Sequence, residues 1–423
     1  MRHPRHTRRT AGALAGAVAL AVALAACTVP APAPIDLPAQ TQGDLPDDTV
    51  KQLQDAATHA MAAAGASGAV VGVWAPWSGS WVTGLGTETP GGKDSVSADL
   101  RFKVGQITRA MTCDVLYALA DKGTVSLDDP ITDYVSGVAD LTSITLGELC
   151  ASTSGIGSYS GQLLSSWLSN PMRTWNPREL ASFGLGEART IEPGTSYVDS
   201  DAGYLLLGLA LERASGKTAS QLLDQYIDQP LGLRATQLPS PGSEPSKSEM
   251  LQGYLSQRDA AGTMNCATPL DVTAVSTTTG YTDSGVVSDI GDLGRYAQAL
   301  ATGALPGQTD RFSAPLPVYA GAPSWYTTAG GAIQAGSLIG QSGGVPGYAT
   351  AAFADPTTGL TVAVVLNNSG AGAGLAVYLA WELAALASKA AAASGETMPE
   401  AGLPWTAQQY HDAITAAAIC PLP

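Results

Sequence analysis

Histidine is the scarcest chemically useful residue in this chain of 423: there are four, and His3 and His6 fall within the first 26 residues. Only His59 and His411 remain, near the two ends of the rest of the chain. A Ser–His–Asp triad or a multi-histidine metal site would have to be built on one of those two. Lysine is nearly as scarce, with seven. Basic side chains number 21 against 36 acidic ones, for a net charge of −15. The first 26 residues hold Arg2, Arg5, Arg8 and Arg9 and no acid, so the remaining 397 carry 17 − 36 = −19. So few cations argue against nucleic acid, whose binding rests on Lys and Arg neutralising phosphates. What is plentiful is apolar surface. At 45% hydrophobic and 13% charged, the chain has enough to bury a core, which excludes general disorder.

The N-terminus reads as an export signal. An Arg-rich start precedes an apolar run from Ala11 to Ala26, shorter than the ~20 residues a membrane-spanning helix needs. It ends in Leu24-Ala25-Ala26-Cys27, which resembles the bacterial lipobox, where the Cys is acylated and becomes the mature N-terminus. The alternative is an ordinary signal peptide with a chance Cys. Residues 1–26 are thus expected to be a lipoprotein signal, with Cys27 as lipidation site and the outer face of the bacterial cell membrane as location. Thr7-Arg8-Arg9-Thr10 leaves the Sec and twin-arginine routes both open. From residue 27 to 48 the Pro- and Ala-rich composition predicts a tether. In an oxidising compartment Cys113, Cys150, Cys266 and Cys420 allow three disulfide pairings. Four buried free thiols are the other reading. Their spacing does not suit zinc, and neither a metal nor another cofactor is expected.

From residue 49 onward the pattern predicts one α+β unit to residue 395. An amphipathic helix spans Thr49 to Ala64, with His59 on its surface. Ala69–Trp74 and Ser80–Thr83 read as a hairpin, as do Ala349–Phe353 and Leu360–Leu366. Helical periodicity runs over Ile107–Lys122 and Tyr204–Ser215, each stopped by Gly. A long apolar helix from about Leu375 to Ala392 contains Glu382 and Lys389, so it is expected to pack on a sheet. Strands at both ends with helices between them suggest an α/β layer (49–100 and 310–395) around a helical lobe (101–309), followed by a C-terminal extension (396–423).

Several segments together resemble the serine β-lactamase and D-alanyl-D-alanine carboxypeptidase family. They are Arg101-Phe102-Lys103-Val104-Gly105; Lys122-Gly123-Thr124-Val125-Ser126-Leu127-Asp128-Asp129-Pro130; Ile144-Thr145-Leu146 through Thr153-Ser154-Gly155; Pro193-Gly194-Thr195 through Gly208; Gly285-Val286-Val287-Ser288 with Asp292-Leu293; and Gly340 to Tyr348. The resemblance covers most of residues 50–392 and implies a β-lactamase/transpeptidase-like fold. That fold has an antiparallel sheet flanked by helices, a mostly helical lobe, and a cleft between the two.

The chemistry departs from the family. Where the resemblance implies Ser-x-x-Lys, with the Lys one helical turn after the nucleophile, this chain has Gln106 and Arg109. Glutamine has no hydroxyl, and arginine stays protonated and cannot act as the base. Tyr-x-Asn aligns with Asp199-Ser200-Asp201, and His/Lys-x-Gly aligns with Gln341-Ser342-Gly343. The residues three before the seven lysines are Asp48, Pro90, Leu100, Leu119, Ala214, Glu244 and Leu386, so no other Ser-x-x-Lys exists. The family's acyl-enzyme chemistry is therefore expected to be lost.

The resemblance also implies that Arg109 faces Asp199 and Asp201 across the cleft, forming an ionic network; otherwise Arg109 turns outward and water fills the pocket. Gly343 and Gly344 would keep backbone N–H donors where the family builds half of its oxyanion hole. Ser200, Ser342, Gly343 and Gly344 are the expected ligand contacts. Two function classes follow. The first is a cell-wall binding or scaffold protein for a peptidoglycan-type peptide or other small ligand, on a lipid anchor. The second is an active hydrolase, carboxypeptidase, β-lactamase or esterase-like, using Ser200, Ser342 or Thr108 as nucleophile.

Overall fold

A computed structural model describes residue 1 and residues 32–138, 141–308, 310–400 and 402–422. The lipobox, Cys27 and the expected signal lie outside the described residues. The centre is an eight-stranded antiparallel sheet. Its strands are β1 (Gly68–Ala75), β2 (Gly79–Gly86), β3 (Leu316–Pro317), β4 (Tyr326–Ala329), β5 (Ala332–Ala335), β6 (Leu338–Val345), β7 (Tyr348–Ala354) and β8 (Thr361–Leu366). They lie in the order β2-β1-β8-β7-β6-β5-β4-β3, so the first strand is zipped onto the last, from Ala69 opposite Leu366 to Trp74 opposite Thr361.

Period-two alternation divides the central strands between two cores. Val71 and Val73 of β1, Ala351 and Phe353 of β7, and Val362 and Val364 of β8 belong to one. That core is covered by α1 (Asp47–Ala64), α5 (Ala373–Ala387) and α6 (Ala407–Ala416). Val70, Ala352, Ala363 and Val365 belong to the other, with α2 (Ile107–Asp121), α3 (Asp201–Ser215) and α4 (Ile290–Thr302). Because both faces are covered, these strands are apolar at nearly every position, with buried Thr350 and Thr361 the exceptions. The hairpins and helices sit where the sequence pattern puts them, within a few residues at their ends. Helix α5 lies on the sheet as expected, and no helix among the described residues is long and apolar enough to cross a membrane.

The expected tether does not run to residue 48. Ala33 N–H donates to Pro230 O, Thr41 N–H to Pro76 O and Leu45 N–H to Ser80 O, and Leu45 is buried. Proline removed the donors that would have given a regular element, but the remaining amides still find partners on the domain. The cysteines resolve to one pairing of the three, Cys113–Cys150 and Cys266–Cys420, in place of free thiols. The second bond ties the C-terminal segment to the loop that carries Cys266, while Ile419 N–H donates to Ala63 O at the end of α1. There Gly65 caps the helix at φ +65°, and any Cβ on it would stand 2.5 Å from Cys420 Sγ.

Candidate functional site

The site forms where the start of α2 abuts β6. Over Leu338–Gly340 strand β6 pairs with β5, but beyond that only with β7, so the Gln341–Val345 edge faces α2. The approach is backbone on backbone. Gly105 adopts φ +61°, and a Cβ on Gly343 would lie 2.4 Å from Val104 O and 2.5 Å from Gln106 N. Glycine is required here, because any side chain would push α2 off the sheet.

At this junction Gln106 satisfies both backbone groups of Gly344. Gly344 N–H donates to Gln106 Oε1 at 2.6 Å, and Gln106 Nε2 donates to Gly344 O at 3.3 Å. The side-chain amide therefore pairs with the strand edge as a peptide group of a neighbouring strand would. The Gly344 N–H, expected to be an open donor, is already taken by the Gln106 side chain. A cleft of about 350 Å³ opens beside this pair. Tyr159, Trp167, Leu255 and Ala373 help line it, and among the described residues no Asp, Glu, Lys, Arg or His does. Nothing in the lining can take a proton from a hydroxyl near neutral pH.

Beneath the cleft Arg109 is held inward, as the ionic-network reading required, but only one of its two expected partners is correct. Its Nη1 donates to Asp199 Oδ1, and its Nε donates to Asp283 Oδ1 at 2.7 Å. The guanidinium also lies 5.0 Å from the Tyr204 ring centroid. Asp201 serves elsewhere: its carboxylate accepts Tyr159 N–H at 2.7 Å and Ser160 N–H at 3.0 Å, at the start of the helix Ser160–Ser169. Asp283, which replaces it, lies outside all three aligned motifs, and the sequence carries no signal for it.

Exposure separates the two ion pairs. The Asp283 side chain is 2% exposed and that of Arg109 6%, whereas that of Asp199 is 61% exposed. Burial pushes the Asp283 carboxyl up to about 6, with Arg109 pulling it down and Asp201 adding to the rise. At Asp199 desolvation also acts upward, but Arg109 outweighs it and holds the carboxyl below its ordinary value.

The other candidates are occupied structurally. Gln341 is buried and turned away, its Nε2 donating to Gly331 O at 2.7 Å and its Oε1 accepting Ser342 N–H at 2.8 Å. Ser200 caps α3 by accepting Gly203 N–H at 3.0 Å. Thr108 is fully buried and accepts Val286 N–H at 3.2 Å. Neither hydroxyl is placed as a nucleophile. Ser342 is partly buried on β6, with Gln341 folded back on its amide. The two histidines stack on each other at 4.0 Å between α1 and α6, and neither lines the cleft. His59 contacts Thr415 Oγ1 at 3.2 Å, but its Nδ1 has no partner, so no acid orients the ring as a triad requires.

Comparison with known proteins bears on the fold that carries this site. The Beta-lactamase family model matches residues 53–386. The D-alanyl-D-alanine-carboxypeptidase/endopeptidase AmpH of Escherichia coli K12 is 32% identical over 163 residues, 37% of this chain and 42% of that protein. Penicillin-binding protein 4* of Bacillus subtilis is 23% identical over 256 residues, 59% of this chain and 56% of that protein. The chain thus matches about half the length of these curated relatives. Among solved structures, a D-stereospecific amidohydrolase from Streptomyces superposes with a TM-score of 0.67 at 23% identity, covering 78% of this chain and 98% of that one. The octameric penicillin-binding protein homologue from Pyrococcus abyssi gives 0.65 at 21% identity, covering 78% and 75%. At those identities the structural likeness speaks for the fold, and the family match spans most of the chain. The chain belongs to the Beta-lactamase family.

Proposed function

We propose that this protein is an exported, lipid-anchored binding protein that keeps the family's cleft without its acyl-transfer chemistry. The observation that carries this reading is the Gln106 amide, at the position that the family resemblance aligns with the nucleophile, which pairs with both backbone groups of Gly344. Arg109, one turn on, is committed to Asp283 and Asp199 and cannot serve as base. The ligand class is an uncharged stretch of cell-wall peptide. An amide group can exchange for the Gln106 amide on the strand edge, whereas a free carboxylate would enter a cleft with no cation in its lining. The name of the Escherichia coli relative supplies the D-alanyl-D-alanine peptide as probe.

The mature protein is expected to form no covalent adduct with a fluorescent penicillin by mass spectrometry, and the Gln106→Ser variant should form none either, because a hydroxyl without a base stays unreactive. A stoichiometric adduct on the unaltered protein overturns the proposal. In Gln106→Ala, an acetylated and amidated D-alanyl-D-alanine peptide should bind more tightly in a calorimeter. The strand edge is then free, and each displaced hydrogen bond is worth about 1 kcal/mol. For the anchor, Cys27→Ala should abolish incorporation of radiolabelled palmitate and move the protein out of the membrane fraction; unchanged labelling removes the lipid-anchor assignment.

A further inference from the structure

A second cavity, of about 480 Å³, shares no lining residue with the cleft at Gln106. Lys103, two residues before the site's Gly105, lines it and is 5% exposed. Its ammonium donates to the backbone oxygen of Val275 and, at 3.5 Å, to that of Thr273. It pairs with no carboxylate among the described residues, whereas both other buried cations, Arg109 and Arg311, have one. A buried charge without a counter-charge is costly, and carbonyl dipoles offset only part of that cost. In the same wall Thr277 keeps a buried hydroxyl with no hydrogen-bond partner.

Met250, Ala274, Val275, Val287 and Pro245 form the apolar part of the lining, Thr174, Thr273 and Ser276 add hydroxyls, and among the described residues no aromatic ring contributes. Met172, also in the lining, is 81% exposed, an unusual state for a large apolar side chain. The charged groups besides Lys103 are already engaged: Lys247 pairs with Asp271 at 3.2 Å, and Glu244 accepts Gly242 N–H at 2.9 Å.

We propose that this cavity binds a small aliphatic carboxylate, with its head on Lys103 and its chain along Met250, Val275 and Val287. The anion supplies the counter-charge the fold omits, and flexible methionines suit a chain without fixed shape. Burial alone pushes the Lys103 ammonium down to about 8, consistent with a cation that has no carboxylate beside it.

Octanoate and 1-octanol, equal in chain length and different in charge, provide the test. Calorimetry on the mature protein at pH 7 should give one octanoate site per chain, with octanol at least about tenfold weaker. Equal binding of the two, or no binding of octanoate, overturns the proposal on the unaltered protein alone. Lys103→Met should abolish the preference for octanoate and Lys103→Arg should retain it. A preference that survives in Lys103→Met places the anion elsewhere and overturns the assignment equally.

Discussion

Arg109 shows how much one side chain can be asked to hold. Its pair with Asp283 is buried and its pair with Asp199 mostly exposed, so the two should differ strongly in energetic weight. Removing one member of a buried pair costs about 3–5 kcal/mol, whereas an exposed pair is worth about 0–1. Arg109→Ala should therefore lower stability clearly at pH 7.5, Asp283→Asn in that background should recover most of the loss, and Asp199→Asn should recover little. The pH dependence has a definite sign. The Asp283 carboxyl titrates at about 6 in the fold, above its ordinary value, and loss of Arg109 raises it further. A carboxyl raised by folding binds its proton more tightly in the native state, so its penalty is present above the folded value and fades as pH falls. The deficit of Arg109→Ala should then shrink between pH 7.5 and 5 in thermal melts. A deficit independent of pH would mean that Asp283 is not the uncompensated charge. The sequence made Asp199 legible because it lies inside a recognisable motif. Asp283 was not legible, because it sits 174 residues from Arg109 and only the folded chain brings the two together.

At the scale of elements, strand alternation and Gly stops were readable because they depend on local backbone geometry and on which face is buried. The fate of Gln341 was not, since the carbonyl that turns it away belongs to Gly331, on the turn between β4 and β5. The same holds for what fastens α2 within the lobe. Asp114, fully buried on α2, pairs with Arg311, accepts Tyr296 Oη–H from α4 at 2.6 Å, and accepts Gln308 Nε2–H at 2.7 Å. Arg311 in turn donates to Ala110 O and Gly330 O. Three separate stretches of chain meet on one carboxylate, and the turn between β4 and β5 joins them through Arg311; none of them is marked by a motif. Asp114→Leu should cost about 3–5 kcal/mol in urea unfolding, through the Arg311 charge left unpaired. The double variant Asp114→Leu/Arg311→Met should be closer to the parent protein than either single change. Additive losses would show that the two residues do not act as a pair.

For the whole molecule, the C-terminal segment is part of the fold: Trp405, Tyr410 and Ile414 are buried in the core shared with α1 and α5. The Cys266–Cys420 bond closes a loop of 154 residues, so its main effect is expected on the unfolded chain. Replacing both cysteines by Ser should lower stability by about 2–5 kcal/mol. A midpoint unchanged on reduction would indicate that the packing of Trp405 and Tyr410 suffices by itself. The pairing of β1 with β8 bears on how the chain comes to be folded at all. Ala69 has Leu366 as its partner, so nearly 300 residues must be available before the hairpin made first acquires its neighbour. While the chain is delivered N-terminus first, the β1 edge, rich in valine and bare of charge, stays an open template for pairing with other chains. Its protection during delivery therefore falls to whatever holds the nascent chain, and the amount recovered in the cell becomes a matter of timing as well as of native stability.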